Sequence, residues 1–282
     1  MIRIVRRREI ARPVPPVHRE VRAAAPVPAD DSPSGGASDQ QRPPLLMVPG
    51  FGAGAWVFAE HWLHHAADRG FPAYAMSLRG HGQSGSARRA TLRAYVHDVV
   101  QVAASLPRQA VLLGHGAGAL VVAQALARYP ARAAVLAAPV LGGFSLLGRA
   151  LLRNPLGTAP ALVGGPLRLH HRQLFSRELP TEAAAEYARR MGRASARAQW
   201  QLLLPRTLEP PVGEPPVLVL GSPHDPVVPQ AALTRVAQRY GGAPLLFPGM
   251  GHALMLDARW REPIDAILDW LEKLPHPGGG RG

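Results

Sequence analysis

The residues Gly114-His115-Gly116-Ala117-Gly118 lie in the stretch AVLLGHGAGALVVAQALARYP, between an apolar run and a helical pattern. A turn that passes directly from strand to helix has no space for side chains at its flanks, which is what glycine provides. Here the centre is Gly116, which has no side chain, so no covalent intermediate can form at that position. Taken alone, the five residues read equally well as a packed strand-helix turn. The chain has no cysteine, which excludes a thiol nucleophile, disulfides and Cys-ligated metal. Ser77, Ser84, Ser145 and Ser222 fall at turns or at the start of a segment and read as turn or capping hydroxyls rather than nucleophiles. Among the 12 histidines, His61, His64 and His65 share one predicted helix face, and His170 and His171 are adjacent. The run HWLHH lacks the His-Glu-x-x-His form, with its third ligand and carboxylate base, so no metal site is expected.

The elements around these residues follow from the period of the apolar pattern. From Pro44 onward, short apolar runs alternate with helical segments, the pattern of βαβ units and a parallel sheet. Strands are predicted at Leu45 to Val48, Ala73 to Leu78, Ala110 to Gly114, Ala133 to Leu136, Pro216 to Leu220 and Pro244 to Phe247. Helices are predicted at Trp56 to Arg69, Thr91 to Leu106, Gly118 to Tyr129, Gln230 to Tyr240 and Ala258 to Leu271. Between Leu141 and Arg206 the alternation stops and Leu/Arg-rich pieces are punctuated by proline and glycine. An insertion there lies over the carboxyl ends of the strands, where open α/β sheets bind ligands. The expected organisation is an α/β core of residues 44–140 and 207–273, a helical cap of 141–206, a basic arm and linker over 1–43, and a flexible tail of 274–282. The arm is read as loosely attached, with a short edge strand near Ile2 to Ile10 as the alternative.

Several motifs now fall in a familiar order. The GHGAG turn resembles the Gly-x-Ser-x-Gly nucleophile elbow of the α/β-hydrolase superfamily of esterases, lipases and lysophospholipases, with glycine in place of the serine. Pro49-Gly50-Phe51-Gly52 is similar to the family's oxyanion loop, with Pro49 where histidine is commonest. Ser77-Leu78-Arg79-Gly80-His81-Gly82-Gln83-Ser84 is similar to its Gly-x-Gly-x-Ser turn. Val217 to Pro226 resembles the strand and turn that carry the triad acid, and Gly249-Met250-Gly251-His252 the late loop that carries the triad histidine. The resemblance spans about Pro44 to Leu271. It implies an α/β-hydrolase fold with a mostly parallel central sheet flanked by helices and capped by a helical insertion. It also implies that Asp225 orients His252 as base at the empty Gly116 position, that the N–H groups of Phe51 and Ala117 form the oxyanion hole, and that His115 points away from the reaction centre. No cofactor is implied.

Three readings of Gly116 stay open: a water activated directly by His252, a pocket retained without catalysis as in the N-myc downstream-regulated proteins, or an individual substitution in an ordinary esterase. Removing a triad member leaves roughly 10³ to 10⁴-fold catalysis over water, so serine-free hydrolysis is chemically admissible. The functional alternatives are therefore an esterase/lipase-like enzyme on a hydrophobic acyl substrate and a non-catalytic pseudo-hydrolase that binds a hydrophobic ligand or acts as a scaffold. In the cap, leucines suit a hydrophobic pocket and Arg168 and Arg172 could meet an anionic head, although packing leucines and solvated arginines explain the same composition. The net charge of +13 is concentrated in residues 1–22 and in the cap segment, where ten arginines face three glutamates. No nucleic-acid reader motif accompanies it, so a specific nucleic-acid partner is not expected, whereas the arm suits weak contact with an anionic membrane. The N-terminal residues lack the apolar core of a signal peptide, and cytoplasmic location is the resulting expectation.

Overall fold

The computed structural model describes residues 17–26, 42–87, 89–142, 152, 154–162, 169–204 and 207–275. Seven strands form one sheet: β1 (Val21–Ala24), β2 (Leu45–Val48), β3 (Ala73–Met76), β4 (Val111–His115), β5 (Ala133–Ala137), β6 (Val217–Gly221) and β7 (Leu245–Leu246). Their order is β1-β3-β2-β4-β5-β6-β7, with β1 antiparallel to β3 and every other pair parallel. The central strands LLMV, VLLGH and AAVLA are buried at every position, as continuous apolar runs must be when helices cover both faces.

Alternation along β2 divides the core in two. Leu46 and Val48 pack with α3 (Leu92–Ser105), α4 (Ala117–Ala125) and α9 (Gln230–Arg239), whereas Leu45 and Met47 pack with α1 (Trp56–Ala59), α2 (Trp62–Asp68) and α10 (Arg261–Glu272). The single helix predicted over Trp56 to Arg69 is two, because the chain bends at His61, whose φ of −140° is not helical. α3 starts where Thr91 accepts the Ala94 N–H at 3.2 Å, an N-cap that satisfies one of the free first-turn donors.

The main departure from the sequence reading is at the N-terminal side. Residues assigned to arm and linker include β1, which adds an antiparallel edge to the sheet in register Val21↔Met76 to Ala24↔Ala73. Glu20, just before it, is buried. The edge strand considered near Ile2 to Ile10 and residues 27–41 lie outside the described residues, as does the tail beyond Pro275. Between β5 and β6 the described residues form helices α5 (Pro155–Leu162), α6 (His171–Leu174), α7 (Thr181–Arg190) and α8 (Ala196–Leu203). They occupy the segment read as a cap. No helix among the described residues is long and apolar enough to cross a membrane.

The topology itself selects a site. From β2 the chain crosses to β3 on one side, and from β4 to β5 on the other, so the loops leaving β2 and β4 part and leave a crevice at their carboxyl ends. Those loops are Pro49–Gly54 and the Gly116 turn.

Candidate active site

Close backbone packing makes the Gly116 turn. A Cβ on Gly114 would lie 2.6 Å from the Ala119 Cα, and one on Gly118 would lie 2.4 Å from the Pro49 carbonyl oxygen. Any side chain at either position would force strand and helix apart, so both glycines are sterically required. Gly116 itself has φ +56° and ψ −124°, a region that strains other residues. Its N–H donates to the Ala137 carbonyl at 3.0 Å, and its carbonyl accepts from Ala119 at 3.1 Å and Val140 at 2.9 Å. The turn is thus pinned from three directions.

A Cβ built on Gly116 would point at His252, 3.3 Å from Nε2, with the Gly50 Cα next nearest at 3.8 Å. On the other side of that ring, Nδ1 lies 2.7 Å from Oδ2 of Asp225, and Asp225 and His252 are only 6% and 5% exposed. An ionised carboxylate only accepts, so Nδ1 carries the proton and Nε2 presents its lone pair to the Gly116 position. Asp225 is held in turn: its N–H donates to the Ser222 carbonyl at 3.2 Å, and its Oδ1 accepts the Val227 N–H at 2.7 Å. The structure therefore brings Gly116, Asp225 and His252 together, although 109 and 136 residues of sequence separate the first from the other two.

Two backbone donors lie on the loops that border this crevice. The N–H of Ala117, first residue of α4, and that of Phe51 have no hydrogen-bond partner among the described residues. The loops that carry them adjoin, since a Cβ on Gly50 would lie 3.8 Å from the Ala117 nitrogen. The Phe51 loop is braced from below. Ala55 N–H donates to Ser77 Oγ at 2.8 Å, and Ser77 Oγ donates to the Glu20 carboxylate at 2.5 Å. Glu20 also accepts from the Gln83 N–H at 2.9 Å and from Arg22 Nε at 2.8 Å. Burial pushes its carboxyl upward, but these hydrogen bonds outweigh that and hold it below the usual carboxylate range.

Other expectations fare differently. His115 does not point away from the centre. Its ring lies 4.9 Å from that of His252, centroid to centroid, and its Nε2 donates to the His252 carbonyl at 2.9 Å. Burial, with His252 second, pushes its pKa down to about 3, so the ring is neutral. The reason is packing: His115 is buried at the end of β4 against the His252 loop. Arg172 is exposed on α6 and the structure does not bring it to the dyad, while Arg168 and Ser145 lie outside the described residues. Ser77, Ser84 and Ser222 all serve in loop hydrogen bonds. His65 pairs with Asp265 at 2.6 Å, His61 stacks on Trp260 and His64 is exposed. Among the described residues no group of three or more potential ligands could hold a metal ion. The sequence reading missed Glu20, isolated in a basic segment, and Asp257, whose four hydrogen bonds all close on backbone or on a distant serine.

With the geometry in place, comparison with known proteins is direct. The sequence model of the alpha/beta hydrolase family matches residues 45–269. The chain belongs to this family. Among solved structures, this α/β hydrolase is similar in fold to the monoacylglycerol lipase of Paleococcus ferrophilus, with TM-score 0.65 and 18% identity over 91% of this chain and 98% of that one. An esterase from Exiguobacterium antarcticum gives TM-score 0.68 at 15% identity over 91% and 96% of the two chains. A soluble variant of the Saccharomyces cerevisiae monoglyceride lipase, in complex with a substrate analog, gives 0.69 at 11% over 91% and 92%. No curated protein matches.

Proposed function

We propose that this α/β hydrolase is an esterase- or lipase-like protein for a hydrophobic acyl ester, in which Asp225 and His252 activate water where the family's serine would stand. The observation that carries the reading is the aim of the Gly116 Cα–Cβ direction at Nε2 of His252, 3.3 Å away. The base still faces the position from which a nucleophile would attack, and fold neighbours include lipases and esterases.

The steps follow from the protonation states. Nε2 of His252 removes a proton from a water lodged over Gly116 as the oxygen attacks the ester carbonyl. Asp225 stabilises the imidazolium that results. The N–H groups of Phe51 and Ala117 receive the negative oxygen, and α4 adds its positive end. Collapse of the tetrahedral intermediate expels the alcohol, which takes the proton back from Nε2 and leaves the carboxylic acid. Without the covalent step the expected acceleration is of the order of 10³ to 10⁴ over water, far below that of a complete triad.

The missing hydroxyl favours a second reading, in which the same pocket binds a hydrophobic ligand without turnover. A panel of short- and long-chain nitrophenyl esters separates the two when presented to the parent, His252→Ala and Gly116→Ser. Turnover by the parent that His252→Ala abolishes supports water activation. An inactive parent with an active Gly116→Ser variant supports the binding role. Silence of all three refutes both the assigned nucleophile position and the ester class.

A further inference from the structure

Asp257 is buried to 1% exposure, carries no catalytic assignment and lies five residues after His252. Its carboxylate accepts four hydrogen bonds. Oδ2 takes the Gly251 N–H at 2.7 Å and the Ser176 N–H at 3.0 Å; Oδ1 takes the Ser176 hydroxyl at 2.5 Å and the Ala258 N–H at 2.7 Å. No arginine or lysine forms an ion pair with it among the described residues, so these donors must offset the cost of burying the charge.

Two of the donors belong to Ser176, in the insertion between β5 and β6, and one is the N–H of Gly251, the residue before His252. On the other flank of His252, the Ala253 N–H donates to the Leu174 carbonyl at 2.8 Å, also in the insertion. The two backbones touch between these bonds. A Cβ on Gly251 would lie 2.6 Å from the Leu174 oxygen and 2.6 Å from the Phe175 Cα. Leu174 to Ser176 therefore grips the His252 loop on both sides, and glycine at 251 permits the approach.

We propose that Asp257 is a positioning residue that sets the backbone of His252, and that through Ser176 it couples the alignment of the base to the placement of the cap. A displacement of residues 174–176 would break the Ala253 bond directly and take the two Ser176 donors from the Asp257 carboxylate that holds Gly251, loosening the contact of His252 with Asp225. The cap would then switch the base as well as cover the pocket. The inference rests on the reading of His252 as the base, but its test does not depend on turnover.

The His252 Nδ1 proton, shared with Asp225 at 2.7 Å, should give a downfield proton resonance, assigned by its loss in His252→Ala. The expectation is that Asp257→Asn and Ser176→Ala each shift or broaden this resonance while the protein stays folded. If the Gly116→Ser form turns over esters, adding either change should lower kcat by about ten- to a hundredfold with KM held within about twofold, the loss expected from a sub-ångström misplacement of a base. Should Asp257→Asn fail to fold, Ser176→Ala, which removes one hydroxyl, decides the matter alone. A resonance unchanged in a folded variant overturns the coupling. A silent ester panel would refute the proposed activity instead, and the resonance would still decide the coupling.

Discussion

Replacing His115 by glutamine should make the protein less sensitive to mild acid. In the folded chain the His115 ring is buried beside His252 and its pKa is pushed from 6.5 down to about 3. A group depressed in this way gives stability that is present above its unfolded pKa and is lost as pH falls, because the unfolded chain takes up the proton first. Each pH unit in the window between 6.5 and about 3 costs about 1.4 kcal/mol per proton. Between pH 8 and pH 5 the parent should therefore lose about 2 kcal/mol more than His115→Gln. Urea unfolding of both proteins at pH 8, 7, 6 and 5 measures the difference directly. His81, whose pKa burial also lowers, contributes with the same sign in both proteins and cancels. Parallel curves would mean that His115 takes up its proton in the fold as readily as in the unfolded chain, which is incompatible with its burial beside His252.

At Gly116, with φ +56°, serine should cost about 1–3 kcal/mol of stability even as it supplies a nucleophile; urea unfolding of Gly116→Ser checks this, and an unchanged midpoint would show that the turn relaxes to accept it. Glu20→Gln removes a carboxylate that holds Ser77, Gln83 and Arg22, so stability at pH 7 should fall by about 1–3 kcal/mol. Because the Glu20 pKa is lowered in the fold, its contribution is present above the unfolded value and fades as pH falls through the folded one. The loss should accordingly shrink below about pH 4.5, and a pH-independent loss would place its role in packing rather than charge.

What could be read from the sequence divides along a physical line. The strands Leu45–Val48, Val111–His115 and Ala133–Ala137 are apolar throughout, and a fully buried parallel strand has no other way to be written. Gly114 and Gly118 signalled the turn because their constraint is local: each side chain would strike atoms within a few residues or in the next strand. β1 was hidden because Val21–Ala24 alternates exposed and half-buried positions in a segment rich in arginine and proline, and an edge strand needs only one partner. Asp257 was hidden for the opposite reason, since its four donors come from Gly251, Ala258 and Ser176, and nothing in local spacing records a bond across 81 residues. The orientation of His115 depended on which loop covers β4, which period alone does not state.

The same division explains why the turn at Gly116 keeps its shape with no side chain at its centre. No contact of a serine side chain sets the turn at Gly116: the Ala137 carbonyl, the Ala119 and Val140 N–H groups and the two flanking glycines do so. His252 is held by Asp225 and by the backbone bonds of its neighbours Gly251 and Ala253, and the Phe51 loop by Ser77 and Glu20. None of these supports involves atoms beyond the Gly116 Cα, so neither the turn nor the approach of Nε2 needs a side chain at residue 116. A glycine there also relieves a backbone conformation that a side chain would strain. The fold therefore favours glycine in energy and serine only in chemistry. That is why stability and ester turnover should move in opposite directions at residue 116, and why measuring both on one variant says more about this chain than either alone.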